Sequence, residues 1–147
     1  MRFSIFLLLL LGHQVALANW SGEYLGNGTL VGVESNCTLD VEFTESTNQF
    51  AIEKIYYVCE LKDGSAIEQG IEPFLLSIES DGSFKYQNFW PSGYVAAKEL
   101  FIALPWEIYP HYKFIDNGGT SIVVEIYQSA KNGQRILSFK REMARVK

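Results

Sequence analysis

Histidine and cysteine are scarce in this chain, with two of each in 147 residues, and only His111 lies beyond the N-terminal apolar stretch. Zinc sites and nucleophilic hydrolases draw on these residue types, so their scarcity excludes most metal and thiol chemistry. No Gly-x-Ser-x-Gly and no phosphate-cradling glycine loop occurs. Positive charge is also short. Without Arg2 the chain keeps 11 basic against 17 acidic residues, a net −6, which disfavours nucleic acid as a partner. Beyond residue 18 no apolar run approaches the ~20 residues of a membrane helix. Seventeen carboxylates would place some pair at glycosidase spacing by chance, so such a pair decides nothing.

The start of the chain has the grammar of an export signal. Arg2 gives one positive charge, Ile5 to Leu11 form a short apolar run, and Ala16-Leu17-Ala18 supplies the small-x-small cleavage pattern. The expected layout is a signal peptide over 1–18 and one domain over 19–147, secreted or periplasmic. That domain would have 129 residues, enough for one full core. Export makes a Cys37–Cys59 disulfide the default. Folding a hairpin about Asn48 sets Cys37 against Cys59, Leu39 against Tyr57 and Val41 against Ile55.

Apolar residues recur with a period of two, as in Cys37, Leu39, Val41 and Phe43, and again in Ile55, Tyr57 and Cys59. Phe74–Ile78, Phe84–Phe89, Ile122–Tyr127 and Ile136–Phe139 read as strands. Asp63-Gly64, Asp81-Gly82, Asn117-Gly118-Gly119, Asn132-Gly133 and Trp90-Pro91-Ser92-Gly93 read as turns. Trp20, Gly22, Tyr24, Gly26, Gly28, Leu30 and Gly32 share one parity, marking a first strand that bends or approaches another backbone closely. Residues 94–104 read either as a helix capped by Ser92 or as a strand with Lys98, Leu100, Ile102 and Leu104 on one face. The hairpin neighbours favour the strand. The expected fold is all-β, an antiparallel up-and-down meander closing into a barrel of about eight strands.

Trp20-Ser21-Gly22-Glu23-Tyr24, opening a strand-rich chain of this length, resembles the start of calycin barrels (lipocalin-like, avidin-like and fatty-acid-binding). The glycine of their Gly-x-Trp motif and the later lipocalin signatures are missing. That resemblance implies a small apolar ligand at the mouth or in the interior. Tyr57-Val58-Cys59 and Ser92-Gly93-Tyr94 are similar to segments of periplasmic C-type lysozyme inhibitors, which implies an envelope protein as partner.

Binding suits this composition better than catalysis. Trp20, Tyr24, Trp90, Tyr94, Trp106 and Tyr109 are the candidate ligand- or partner-binding residues, because rigid aromatics with a polar handle suit recognition. Plugging the barrel is their alternative use. No catalytic residue, metal or cofactor is expected, and His111 reads as a loop histidine; a small hydrolase is the remotest option. Six basic residues from Lys131 onward face one acid, Glu142. They form either a solvated strand beside an acidic neighbour or an anion-binding edge. Asn19, Asn27 and Asn36 head Asn-x-Ser/Thr sequons, meaningful only in a eukaryotic secretory route.

Overall fold

A computed structural model describes residues 19–147; the expected signal peptide lies outside the described residues. The described residues contain eleven strands and no helix. They are β1 (Gly22–Gly28), β2 (Ser35–Glu45), β3 (Gln49–Leu61), β4 (Ala66–Ile71), β5 (Phe74–Ile78), β6 (Ser83–Tyr86), β7 (Trp90–Val95), β8 (Glu99–Ile102), β9 (His111–Asp116), β10 (Ser121–Ser129) and β11 (Arg135–Arg145). Every pairing is antiparallel. Hydrogen bonding runs β2-β1-β11-β10-β9-β8-β7-β6-β5-β3, and β3 returns to β2, so ten strands form a ring in place of the eight or so expected.

The extra strands have local causes. β4 and β5 lie end to end along β3, with Ile71 opposite Ile55 and Phe74 opposite Ile52. Glu72-Pro73 interrupts them, since proline has no N–H for the ladder. β4 pairs with β3 alone, and its short length and exposed Glu68 discourage edge-to-edge pairing. Residues 94–104 are strand rather than helix, but split by a turn over 96–98 between β7 and β8.

The reading of 90–93 as a turn is corrected: Trp90–Val95 is strand β7. The chain reverses one step earlier, where Gln87 and Asn88 take φ of 52° and 58°. Asparagine tolerates that region and forms turns there. Gly93 serves a different purpose. Its φ is +113°, and a Cβ there would stand 1.9 Å from the Phe101 carbonyl oxygen.

The β2–β3 hairpin follows the expected register, with Cys37 opposite Cys59, Leu39 opposite Tyr57 and Val41 opposite Ile55. The disulfide joins Cys37 to Cys59. A bulge at Glu42/Phe43 shifts the register so that Phe43 faces Ile52. Its trace is visible in β3, whose buried residues change parity from Phe50 and Ile52 to Ile55, Tyr57 and Cys59. The glycines of β1 mark close approach: a Cβ on Gly28 would stand 2.3 Å from Arg141 Cγ on β11.

Aromatic side chains meet across the inside of the ring. The Phe43 ring lies 6.2 Å from Tyr24, 5.3 Å from Phe50 and 5.0 Å from Phe114, and Phe50 lies 5.2 Å from Phe84. Tyr112 stacks on Phe114 at 6.4 Å, and its buried hydroxyl has no hydrogen-bond partner among the described residues. Trp20 closes one end. It is buried, its Nε1 donates to the Ala96 carbonyl, and the Tyr24 hydroxyl donates to the Trp20 carbonyl.

Three outcomes test this packing. Replacing both Cys37 and Cys59 by alanine should lower unfolding free energy by about 3 kcal/mol in denaturant titration, for a bridge spanning 22 residues. Gly93→Ala should cost more than ~2 kcal/mol, since strain adds to the clash. Tyr112→Phe should be neutral or raise stability by up to ~1 kcal/mol, because it removes an unpartnered buried hydroxyl. A loss above ~1 kcal/mol in Tyr112→Phe would mean the hydroxyl is bonded in solution.

Candidate functional site

Antiparallel alternation sorts the connections between two ends of the ring. The turns at 46–48, 79–82, 96–98 and 117–120 share the end that Trp20 closes. Backbone bonds tie them together, including Ile78 N–H to Asn48, Val95 N–H to Gly82, Asp116 N–H to Lys98 and Arg145 N–H to Thr120. Segments 29–34, 62–65, 87–89, 103–110 and 130–134 share the opposite end.

That second end carries most of the large apolar side chains left in solvent. Ile108 is 81% exposed and Phe89 71%, Trp90 and Trp106 are exposed in or next to the same two connections, and Val31 and Val33 are exposed at the same end in the β1–β2 connection. Isolated exposed apolar residues are ordinary, whereas several gathered on one end mark a surface built for contact. The aromatics are held in place by one another. Trp106 lies edge-on to Tyr86 at 5.5 Å and 6.0 Å from Tyr109, Tyr86 lies edge-on to Phe74 at 5.9 Å, and Phe89 is perpendicular to Trp90 at 5.1 Å. Arg135 Nη1 donates to the Tyr109 carbonyl at 2.8 Å, pinning the 103–110 loop to the start of β11. The disulfide sits at this end of the β2–β3 hairpin and fixes the strands from which the 29–34 and 62–65 segments leave.

The six aromatic candidates divide. Trp20 and Tyr24 are core residues, 1% and 3% exposed. Trp90, Trp106 and Tyr109 belong to the apolar loop end. Tyr94 projects from the outer face of β7, where its hydroxyl donates to Glu99. That bond, followed by partial burial, pushes its pKa up to about 12. Sequence reasoning singled out the Phe89-Trp90 pair but missed Ile108, which lies between Trp106 and Tyr109 and is 81% exposed. Ser92, part of the segment similar to an inhibitory loop, is fully buried within β7 and donates to the Trp90 carbonyl.

The basic C-terminal segment is neutralised only in part, with two of its six cations held in ion pairs. Lys140 pairs with Glu125 at 2.7 Å and Lys147 with Glu23 at 3.0 Å, while Arg145 donates to the Ser21 carbonyl. Burial holds His111 below the ordinary imidazole range, and the nearby Arg135 charge adds to the effect. Both cysteines are joined in the disulfide, so no thiol stands beside His111. No group of three His, Cys, Asp or Glu among the described residues is arranged to hold a metal ion. No described helix is long and apolar enough to cross a membrane.

Neither the known protein-family models nor the curated proteins contain a match to this chain.

Proposed function

We propose that this is an exported, non-enzymatic protein-interaction module, a small disulfide-stapled barrel that docks a partner protein through its apolar loop end. The observation that carries this reading is a contrast between the two sides of the sheet. Aromatic rings fill the inside, with Phe43 against Phe114 at 5.0 Å, while Phe89 and Ile108 stand 71% and 81% exposed on the loops. A carrier of a small apolar ligand would show the reverse, a hollow interior behind a polar rim. Trp106 and Trp90, braced by neighbouring rings, are suited to act as contact anchors because little side-chain freedom remains to be lost on binding. The cleavage pattern at Ala16-Leu17-Ala18 and the disulfide support an oxidising, extracytoplasmic location.

The test pairs capture with mass measurement. Immobilised 19–147 should recover a defined protein from its host's envelope or extracellular fraction, and Phe89→Ser with Ile108→Ser should lose it with an unchanged circular-dichroism spectrum. Trp106→Ala should weaken the isolated complex ~30-fold or more, the scale of a contact hot spot. Native mass spectrometry of protein from the host that finds a retained lipid, with no protein captured, would replace this reading by the apolar-ligand one. Slowing of lysozyme by the wild-type protein but not by the double variant would identify the partner as that enzyme.

A further inference from the structure

A recess lies on the outer wall of the sheet and is lined by Tyr94, Phe101, His111, Lys113, Tyr127 and Arg135. These residues come from β7, β8, β9, β10 and β11, so consecutive strands of rigid sheet build the site rather than a loop. The register explains the assembly. Tyr94 faces Phe101, Phe101 faces Lys113, and Tyr127 faces His111 across adjacent strands. Outer-face side chains from neighbouring strands stand about 5 Å apart, and four of these six are rings. The bulge at Ile126/Tyr127 breaks the regular ladder beside them. The recess is shallow and open to solvent, with a volume of about 390 Å³, room for a small ring-bearing molecule.

Its walls are apolar and its cations are not spent alike. The Phe101 ring lies 5.6 Å from Tyr94 and 5.6 Å edge-on to His111, forming an aromatic floor. The flanking carboxylates are already occupied: Glu99 takes the Tyr94 hydroxyl and Lys113 (3.2 Å), and Glu125 takes the Tyr127 hydroxyl (2.7 Å) and Lys140 (2.7 Å). Arg135 differs. Its Nη1 bonds to the Tyr109 carbonyl, which fixes the guanidinium, yet no carboxylate pairs with it among the described residues. A guanidinium has five N–H donors in a planar fork, so most of this fork remains for a ligand. The neighbouring His111 is held toward its neutral form by burial, which leaves Arg135 as the unpaired charge of the recess.

We infer that this recess is a binding site for a small ring-shaped carboxylate, its ring lying on Phe101 and Tyr94 and its carboxylate on the fork of Arg135. The chemistry fits two sources, an aromatic acid and the uronate unit of an acidic polysaccharide, because both join a carboxylate to a ring with an apolar face. The recess opens on the outer wall and meets the apolar loop end only through the Arg135 bond to the Tyr109 carbonyl, and it does not depend on a protein partner docking there.

The experiment is titration of isotope-labelled 19–147 with 4-hydroxybenzoate and with galacturonate, each beside its uncharged counterpart, 4-hydroxybenzyl alcohol or galactose. At least one acid should shift the Tyr94, Phe101, His111 and Tyr127 resonances saturably, and its neutral counterpart should not. Whichever acid binds names the source. Arg135→Gln should weaken that binding ~10-fold or more, the scale of charge-assisted hydrogen bonds. Arg135→Lys should weaken it too, since the fork is lost while the charge stays, and Phe101→Ala should weaken it with the charges intact. Phe89→Ser, which lies outside the loop that Arg135 holds, should leave it unchanged, which separates this site from the docking surface. The inference is overturned if neither acid shifts these resonances at ~10 mM, a thousandfold above the micromolar range. Equal binding of a neutral counterpart, or Arg135→Gln binding as well as wild type, would overturn it too.

Discussion

Phe43 is where the far sides of the sheet meet. Its ring touches Tyr24 of β1, Phe50 of β3 and Phe114 of β9, and Phe50 passes the contact to Phe84 of β6. Each tilted or edge-on aromatic pair adds about 0.5–1.5 kcal/mol beyond the burial of its surface. Tyr24 and Phe50 sit on the two strands that flank β2, whereas Phe114 of β9 lies four places round the ring, so that contact holds the interior from within and not only by backbone bonding around the circumference. The bulge at Glu42/Phe43 belongs to this constraint, since it sets Phe43 opposite Ile52 with both facing inward.

A filled interior moves the burden of recognition outside. With Trp20 closing one end and rings occupying the middle, large apolar residues at the other end have no inner space left to fill. They pack sideways in short chains, Phe74 to Tyr86 to Trp106 to Tyr109 and Phe89 to Trp90, leaving one face of each chain in solvent. Arg135 links this end to the outer wall, bonding the Tyr109 carbonyl while its guanidinium lines the recess beside Phe101. One residue at the start of β11 thus orders a loop and presents charge to a neighbouring site.

Much of the hairpin layer was legible along the chain. Alternation in Cys37–Phe43 and Ile55–Cys59 specified both the register and the facing cysteines, because successive side chains on a strand point to opposite faces. Asp81-Gly82, Asp63-Gly64 and Asn132-Gly133 turn where expected, each glycine at positive φ. Trp90-Pro91-Ser92-Gly93 misled for a physical reason. Glycine is required there by the approach of the Phe101 carbonyl from the next strand, and no local pattern distinguishes that need from a turn. Strand number failed likewise, because Pro73 breaks one edge into β4 and β5 and the 96–98 turn divides another segment.

By itself the sequence determined what is local: the period of two, most turn positions, the disulfide pairing and the depletion of catalytic and metal-binding groups. Tertiary structure alone decided which of six similar aromatics face inward. Trp20 and Tyr24 lie inside because β1 pairs with β11, at the opposite end of the domain, whereas Trp90 and Trp106 stay at the surface because the interior is already full. Parity assigns a side chain to a face of its strand. Whether that face is core or solvent depends on the strands and loops that arrive over it, and ring closure brings those from distant parts of the chain.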